Sequence, residues 1–534
     1  ASNGSLMTVP DFPNRLRALK ARGGRMVVID PRRTETAKAA DEHHFVRPGS
    51  DAVVILARVH TLFEEGLARP APYVDHVEAV RELVEPFTPE AAERVSGIGA
   101  DDVRRLAREL ATADGGAAYG RIGVSTTAFG SLAQWGIQCL NILTGHFDQP
   151  GGVLFTEPAV DFVARRFVGT GHFDLWRSRV RGAPEYGGEL PAAVMRDEIE
   201  TPGDGQITAM LTIAGNPVLS TPDGRRLGEA FESLDFMAAI DIYVNETTRH
   251  ADVILPPTTA LERDHSDIVF HGLAVRNTAR FTPAALPKPE GALHDHEIYR
   301  ELALRVQRRL VRRPSLRTRL KQRARLAATP TRILAGLLRT NRVTTLKQLR
   351  AHPEGIDLGP LRPTMPERLQ TKSHRIDLAP ELVVGDLPRL RAWLDERLDA
   401  LDHPGAEGLV LIGRRHKQDN NAWFHNIERV NRGRPRHRLL MHPGDLAARG
   451  ISDGALVTVT SRVGEVTVDV EASDDMMPGV VSLPHGYGHQ VDGTRLSRAS
   501  KVPGVSINDL TDPDALDLSG NAALSGVPVT VAPA

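Results

Sequence analysis

The sequence predicts an α/β fold made of two related, doubly wound halves, followed by a small C-terminal β-barrel domain. One observation is a spaced signature that occurs at Asp30 and again at Asp241. A second is the alternation of short apolar runs with helix-like periodicity before residue 405, which is typical of βαβ units. A third is the period-two alternation of apolar and polar residues in 455–461 and 465–471, which indicates strands with one buried face.

The repeated signature begins with an Asp that closes a short apolar run. In both copies Glu follows at the fifth position, Thr at the sixth, Ala at the tenth and a second Asp at the eleventh. Such a repeat predicts two copies of one supersecondary unit. An acid at the carboxyl end of a strand can bind a ribose or a base, so the repeat predicts two nucleotide-like sites. The alternative is a coincidence of common residue types.

Length and composition limit the class of protein. At 534 residues the chain exceeds one hydrophobic core, so several domains are expected. We predict domains at 1–150, 151–400 and 405–534. A net charge of −1 argues for neither a nucleic-acid nor a membrane partner, and no apolar run reaches the roughly 20 residues that span a bilayer. No signal peptide is visible, so we expect a cytoplasmic protein, with a periplasmic one left open.

The chain has one cysteine, Cys139. It therefore cannot form an internal disulfide, a cysteine-ligated zinc site or an iron–sulfur cluster from its own residues alone. Cys139 lies in a predicted helix with Leu132, Trp135 and Leu140 on the same face, which favours a buried structural thiol. A nucleophile or a metal ligand is the less favoured interpretation.

The periodicity predicts each element in order. Before residue 150 we predict strands at 26–29, 45–46 and 117–119, and a connector at 70–89. We predict helices at 34–41, 51–67, 89–95 and 101–112, and a last helix that follows the loop 120–130 and ends at 143. The run 145–152 is rich in Gly and Pro and marks a boundary. Beyond it we predict strands at 207–214, 236–240, 253–255, 455–461, 465–471 and 479–483, and a helix at 387–401.

Residues 301–350 form a predicted basic helical insertion within the second half. The segment carries 15 Lys and Arg residues and one acidic residue. Such a run could bind nucleic acid or anionic lipid. Because no aromatic residues are interleaved with the charges, we interpret it as a solvated helical face and expect no nucleic-acid partner.

Two loops are ambiguous when taken singly. The run Arg47-Pro48-Gly49-Ser50-Asp51 opens a predicted helix, where backbone amides suit an anion, but it is also ordinary turn and capping chemistry. The run Gly215-Asn216-Pro217 ends a predicted strand and is either a tight turn or a place where a ligand approaches the backbone.

Taken together and in order, these motifs resemble the molybdopterin oxidoreductase family, which includes formate dehydrogenases, nitrate reductases and dimethyl sulfoxide reductases. The resemblance is carried by the runs 27–36, 47–51, 140–145, 150–152, 214–217 and 251–256. The segments 442–445, 450–457 and 478–481 resemble the six-stranded type of β-barrel that binds the pterin dinucleotide in this family. The resemblance spans nearly all of the chain.

The resemblance implies molybdenum or tungsten held by two molybdopterin guanine dinucleotides, one for each half. It implies that one nucleotide contacts Asp30, Arg32, Pro48, Gly49 and Asp51, and that the other contacts Gly215, Asn216, Pro217, Asp241, Glu246 and Thr247. The first barrel loop would lie against the pterins through Arg414, Asn421, Trp423, His425 and Asn426. A second set would close over the same cofactor, namely His485, Gly486, Tyr487 and Asn508. The alternative for His425 and His485 is that they are ordinary surface histidines.

The implied function is a two-electron oxidation or reduction of a small substrate, of the formate dehydrogenase or nitrate reductase type, with electrons passed to an iron–sulfur centre. Family members usually carry a cysteine cluster and a metal ligand before the first nucleotide motif, and this chain shows neither. We therefore expect a C-terminal portion of a longer enzyme, with a 4Fe–4S cluster in the preceding segment, a possible electron-transfer subunit, and no catalytic or metal-ligating residue that can be named here. The alternative is a non-catalytic pterin-binding or scaffold subunit.

Overall fold

The first region surrounds a two-stranded parallel sheet with helices. A computed structural model of the chain describes residues 9–164, 171–310, 315–403, 408–433 and 435–534, except for the side chains of residues 318, 321, 322 and 325. Strands β1 (Val27–Ile29) and β2 (Glu42–His44) pair in parallel. The helices are α1 (Phe12–Ala21), α2 (Glu35–Ala39), α3 (Asp51–Glu64), α4 (Val77–Val84), α5 (Pro89–Ser96), α6 (Ala100–Thr112), α7 (Ile122–Ser125) and α8 (Gly130–Leu143).

Helix α3 is the centre of the first core. Nine of its fourteen residues are buried, as expected for a mainly apolar helix in a protein core. A later segment joins this core, because β11 (Ile376–Asp377) pairs with β3 (Val74–Asp75) and the helix α17 (Leu387–Leu401) buries Leu390 and Leu394 there. Residues 376–401 therefore pack against the first region. The domain boundary predicted at residue 400 stays a prediction.

The second region contains a three-stranded parallel sheet in the order β6 (Ala209–Ile213), β7 (Phe236–Ile240) and β8 (Val253–Ile254). An antiparallel pair, β4 (Phe173–Arg177) and β5 (Pro184–Tyr186), precedes it. The helices of this region are α9 (Met195–Glu200), α10 (Pro217–Ser220) and α11 (Gly224–Phe231). Leu227 and Phe231 of α11 pack on Met237 of β7, so the helix covers one face of the sheet.

The basic segment is helical, as predicted. It follows the strand β9 (Asn277–Ala279) and comprises α12 (Asp295–Leu310), α13 (Leu316–Ala327), α14 (Pro330–Asn341) and α15 (Leu346–Ala351). β9 pairs antiparallel with β10 (Ile356–Gly359), and Leu334 and Leu338 pack with Phe281 below the helices. Each Lys and Arg of 301–350 whose side chain is described is exposed; residues 312 and 313 lie outside the described residues, as do the side chains of 321 and 325.

The C-terminal region is a closed barrel of six strands. They are β12 (Leu409–Arg414), β13 (Leu439–Met441), β14 (Leu456–Thr460), β15 (Glu465–Ala472), β16 (Val480–Pro484) and β17 (Val527–Pro533), in the order β12-β16-β13-β15-β14-β17. Alternate residues of β14 and β15 are buried, so the period-two pattern reports their inward faces. Two short helices complete the assignment, α16 (Glu381–Val384) before α17 and α18 (Pro443–Ala448) in the barrel.

The predicted fold class is confirmed, and several element predictions need correction. Residues 45–46 are not a strand, because the pairing with β1 is made by the preceding residues 42–44. Residues 117–119 form no strand with any described residue, and the predicted connector 70–89 contains β3 and α4. Among the described residues, no helix is both long and apolar enough to cross a membrane.

Candidate functional site

The loop after β1 is organised by Asp30. Its Oδ1 accepts a hydrogen bond from the backbone N–H of Arg32 at 2.9 Å, and its side chain is buried. Thr34 then caps α2 by accepting from the N–H of Ala37 at 3.2 Å. The loop therefore turns sharply at the carboxyl end of β1, where parallel sheets place ligands.

The loop after β7 repeats this arrangement around Asp241. Its Oδ1 accepts from the N–H groups of Ile242 and Tyr243 at 2.6 and 3.0 Å, and its Oδ2 accepts from Asn245 at 3.1 Å. The bond to the residue two positions on is common to both copies. Both repeated Asp residues thus hold a turn at the end of a parallel strand.

The second Asp of each copy has a different part. Asp41 Oδ2 accepts from the N–H of Met26 at 2.9 Å, and Asp252 Oδ2 accepts from the N–H of Met237 at 2.8 Å. In each copy the Asp N–H also donates to the carbonyl of the same Met. These carboxylates join the start of one strand to the segment leading into the next, so the signature combines a loop residue with a structural one.

The loop 47–51 leads into α3. Gly49 has φ 94°, a left-handed conformation that Gly adopts without strain. Ser50 donates from its hydroxyl to the Arg47 carbonyl at 2.7 Å. Asp51 is the first residue of α3, and burial raises its pKa. Pro48, Gly49 and Asp51 therefore form a compact turn at a helix N-terminus, where an anion is favoured.

The run 215–217 is tied to the loop after β7. Asn216 donates from Nδ2 to Glu246 Oε2 at 2.7 Å, and Thr247 donates from its hydroxyl to Asn216 Oδ1 at 2.7 Å. Thr247 also accepts from the N–H of Val218, which follows Pro217. The structure thus brings together Gly215, Asn216, Pro217, Glu246 and Thr247. Glu246 and Thr247 are fully buried, whereas Glu35, the first-copy counterpart of Glu246, is exposed.

In the first barrel loop Arg414 is buried and is surrounded by neutral acceptors. Its guanidinium donates to the Ser482 carbonyl at 2.8 Å, the Arg438 carbonyl at 2.8 Å and His416 Nε2 at 3.3 Å. Burial, reinforced by the nearby charge of Arg32, lowers the pKa of Arg414 to about 9. An anion placed beside Arg32 and Arg414 would relieve this unfavourable positive charge.

The other predicted residues of this loop differ in exposure. Asn421 has φ 61°, and Trp423 is 59% exposed. Asn426 Oδ1 accepts from the N–H of Arg498 at 2.8 Å and so ties the loop to a later part of the barrel domain. His425 is buried, so the surface-histidine interpretation is wrong for its position.

Four predicted residues lie on the later barrel loops. His485 is buried, and burial lowers its pKa to about 4, so its ring is neutral at neutral pH. Gly486 has φ 89°, and a Cβ there would lie 2.6 Å from the backbone of Asn421. The ring of Tyr487 contacts that of His425, with centroids 4.2 Å apart and the planes tilted by 40°. Asn508 donates to the Leu219 carbonyl at 2.7 Å and thereby connects the barrel with the second region.

Two further residues of the site, His489 and Asp419, were not predicted from the sequence. His489 Nδ1 lies 2.8 Å from Glu246 Oε1, and its Nε2 lies 2.8 Å from Nδ1 of His425. His425 Nε2 is 3.5 Å from Asp419 Oδ2. The run Gly486-Tyr487-Gly488-His489 after a barrel strand was a possible signal for His489. Its partner Glu246, however, is 243 positions away in the sequence.

The barrel contacts the loops that follow both repeated Asp residues. Residue 475 accepts from the N–H of Arg33 at 2.7 Å, and the N–H of Met477 donates to Pro31 at 3.1 Å. On the other side Arg495 donates to the Val244 carbonyl at 2.8 Å. The barrel thereby contacts a predicted cofactor loop of each half, and this junction includes Arg32, Arg414 and His489, whose side chains suit a ligand that carries phosphates.

One further group of metal-ligating side chains lies away from this junction. Glu42, His44 and Asp102 offer ligand atoms within 4.8 Å of one another. The guanidinium of Arg105 bonds to Glu42 and, at 2.6 Å, to Asp102. Since Arg105 already supplies the positive charge, these residues form an ion-pair network.

Comparison with known proteins agrees with this architecture. The model of the family described as Molybdopterin oxidoreductase matches residues 8–305, more than half of the chain, and the Molydopterin dinucleotide binding domain matches residues 409–528. Formate dehydrogenase H of Escherichia coli is 30% identical over 313 residues, which cover 56% of this chain and 43% of that protein. The dimethyl sulfoxide/trimethylamine N-oxide reductase of Rhodobacter capsulatus is 24% identical over 95% of this chain and 64% of its own length.

Two more comparisons bear on the fold and on the length of the chain. The assimilatory nitrate reductase catalytic subunit of Bacillus subtilis is 27% identical over 53% of this chain and 42% of its own length. The structure of acetylene hydratase from Pelobacter acetylenicus aligns with a TM-score of 0.75 and 16% identity, covering 98% of this chain and 75% of that one. The chain spans less than two thirds of the three curated relatives named here. By the family model that matches more than half of its length, the chain belongs to the molybdopterin oxidoreductase family.

Proposed function

We propose that the chain binds two molybdopterin guanine dinucleotides around one molybdenum or tungsten ion, as part of an oxidoreductase. The observation that carries the proposal is the junction where the barrel contacts the loops after both Asp30 and Asp241. Two related loops beneath one barrel suit a cofactor with two similar arms. The cationic surroundings of Arg32 and Arg414 suit its phosphates.

The residues of this chain would bind and orient the group. Asp30, Arg32 and the turn 48–51 would hold one nucleotide, and Asp241 with the Asn216 loop would hold the other. The barrel residues, including His485 and Gly486, would cover the pterins and exclude water. When bound, the group supplies two-electron redox chemistry at its metal, and the protein positions it.

We further propose that the complete protein acts on a small substrate, as formate dehydrogenases and nitrate reductases do, and passes electrons to an iron–sulfur centre outside this chain. The names of the aligned relatives support the reaction class. Cys139 is buried, and burial raises the pKa of its thiol, which suits a structural residue and not a metal ligand. Cys139 is therefore a poor candidate for the metal ligand, and we propose that this ligand and the catalytic residue come from another segment.

The edge of β1 supports a further segment. In the second region β7 has a strand on both sides, whereas among the described residues β1 is paired with β2 alone. Val27 and Ile29 of β1 line a cavity of about 490 Å³, which 117–119 also line. Within it, Nε and Nη2 of Arg58 are buried without a partner among the described residues, and burial lowers the pKa of Arg58 to about 10. A strand equivalent to β6, with a carboxylate for Arg58, would fit this position.

The test is metal and nucleotide analysis of the protein produced in a host supplied with molybdate or tungstate. We expect one metal and two guanine nucleotides per chain, and reduced amounts of both in Asp30→Ala and in Asp241→Ala. Asp252→Asn is the matched control, because Asp252 belongs to the same signature but its carboxylate binds a backbone N–H of the sheet. A protein that carries no pterin, or one whose cofactor content is unchanged in both Ala variants, would favour a scaffold subunit.

A further inference from the structure

Four buried side chains form a continuous row from the second region into the barrel domain. Glu246 Oε1 lies 2.8 Å from His489 Nδ1, and His489 Nε2 lies 2.8 Å from His425 Nδ1. His425 Nε2 then faces Asp419 Oδ2 at 3.5 Å. The row therefore places two imidazoles between two carboxylates.

The carboxylates at both ends are ionised. Burial alone would raise the pKa of Glu246, but the hydrogen bonds from His489 and Asn216 outweigh it, so the pKa is lowered. Asp419 follows the same pattern, since contacts with His425 and Arg436 outweigh burial. All four side chains are at most 4% exposed, so their charges must be balanced within the protein.

Two neutral imidazoles do not carry enough hydrogens to join all four side chains of the row. The row has three gaps that each need a hydrogen: between Glu246 and His489, between the two rings, and between His425 and Asp419. Two neutral rings carry only two hydrogens, so either the ring nitrogens face each other at 2.8 Å as two acceptors, or Nε2 of His425, which has no hydrogen-bond partner among the described residues, faces the Asp419 carboxylate at 3.5 Å without a hydrogen. One additional proton supplies the missing hydrogen and removes this repulsion.

We propose that His425 and His489 form a binding site for one proton, held between Nδ1 of His425 and Nε2 of His489. When the proton is bonded to His425, the imidazolium lies beside Asp419, and when it is bonded to His489, the imidazolium lies beside Glu246. The transfer breaks one N–H bond and forms another, and no heavy atom has to move. The row thus carries one positive charge between the barrel and the second region.

The groups around the row allow this charge. Arg436 donates to Asp419 Oδ1 at 2.6 Å, so two cations and two carboxylates balance when the proton is bound. His437 and His485 are neutral at neutral pH, since burial lowers the pKa of each to about 4. Tyr487 is also neutral, because burial raises its pKa to about 12.

One end of the row borders a cavity through which a proton could exchange, and the other end contacts the predicted cofactor loop. His425, together with Arg436, Tyr487 and Arg498, borders a small cavity of about 40 Å³, enough for a water molecule that could exchange the proton. At the other end Glu246 is bonded to Asn216 of the predicted cofactor loop. Resting on the proposed function, we assign the row to proton uptake or release that accompanies electron transfer at the cofactor.

The direct test is nuclear magnetic resonance of the full chain labelled with ¹⁵N in its histidine rings, purified without cofactor. We expect the ring pair to carry three hydrogens on its four nitrogens, whereas two neutral rings would carry two. We also expect a ¹⁵N–¹⁵N coupling across the hydrogen bond between the two rings. A pair with only two hydrogens would overturn the proposal, with or without the coupling, and the result does not depend on whether the cofactor binds.

Two isosteric variants test where the proton lies. In Glu246→Gln the imidazolium character should move to His425, and in Asp419→Asn it should move to His489. A purely structural hydrogen-bonded row would show no such opposite shifts. Because each variant is compared with the other and with the wild-type spectrum, the failure of one to fold leaves the second variant and the coupling measurement to decide.

Discussion

Asp41 Oδ2 accepts a hydrogen bond from the backbone N–H of Met26 at 2.9 Å, and this bond ties the start of β1 to the segment that leads into β2. Asp252 and Met237 make the same bond at 2.8 Å in the second region. The equivalence shows that the repeated signature reports a folded unit, in which its first and last Asp residues have separate tasks.

We predict that Asp41→Asn and Asp252→Asn each lower the thermal unfolding midpoint slightly and leave cofactor content unchanged. The amide oxygen can still accept a hydrogen bond, but the charge-assisted contact is lost. Differential scanning calorimetry with metal analysis checks this. A loss of cofactor in these variants, equal to that in Asp30→Ala, would contradict the division of tasks.

Hydrogen exchange should differ between the two sheets. We expect amides of 26–30 to exchange faster than those of 237–241, because β7 lies between two strands whereas β1 has one described partner. Mass spectrometry of peptides from the two segments of one sample makes the comparison internal.

A strand supplied to the free edge should slow this exchange. We would fuse a copy of residues 208–215 to the N-terminus through a flexible linker, and expect added protection at 26–30 and a higher unfolding midpoint. The control is the same fusion with Pro at the copy of Leu211, which cannot complete a strand ladder. Equal exchange in both fusions would argue against a strand at this edge.

Acidification should destabilise the barrel junction. Burial lowers the pKa of His416, His437 and His485 to about 4 each, whereas an unfolded histidine titrates near 6.5. Below about pH 6.5 the unfolded state therefore binds more protons, and the free energy of unfolding falls as the pH falls towards about 4. Each ring accounts for roughly 2 kcal/mol at most near pH 5.

Urea unfolding between about pH 7.5 and pH 5 measures this dependence. The variant His485→Gln should reduce the slope. His76→Gln serves as the control with opposite sign, because Asp377 raises the pKa of His76, so its stabilisation is present at low pH and is lost as the pH rises. A slope that His485→Gln leaves unchanged would contradict the assignment.

Gly486→Ala should loosen the barrel loops. Its φ of 89° strains any other residue, at a cost of about 1–3 kcal/mol, and the new Cβ would meet the backbone of Asn421 at 2.6 Å. Gly450→Ala is the matched control, since Gly450 has φ 65° with no atom within 4 Å of a Cβ. In urea unfolding we expect Gly486→Ala to lower the free energy of unfolding more than Gly450→Ala does. An equal decrease in both variants would show that the contact with Asn421 does not contribute.

The sequence predicted those parts of the fold that depend on local pattern. The helix at 387–401 and the strand at 236–240 were predicted with their observed bounds, because apolar periodicity marks both ends. By contrast, 117–119 has the composition of a strand but lacks a paired partner among the described residues. A strand requires a neighbour, and periodicity does not reveal whether one is present.

Contacts in the site between residues that are far apart in the sequence could not be predicted. The motifs indicated Asp30, Asp241 and Glu246, but no local pattern pairs Glu246 with His489 or His425 with Asp419. These contacts arise only when the barrel packs on the second region. The role of Asp252 was likewise hidden, because a carboxylate that binds a ligand and one that binds backbone amides have the same identity in a sequence.

The barrel that bridges the loops after Asp30 and Asp241 has a consequence for biosynthesis. Its strands follow both loops along the chain and therefore leave the ribosome after them. Both loops are synthesised, and their sheets can form, before the residues that cover them exist. A bulky ligand can thus reach both loops while they are uncovered, whereas after the barrel has folded the same approach requires the barrel to separate from both regions.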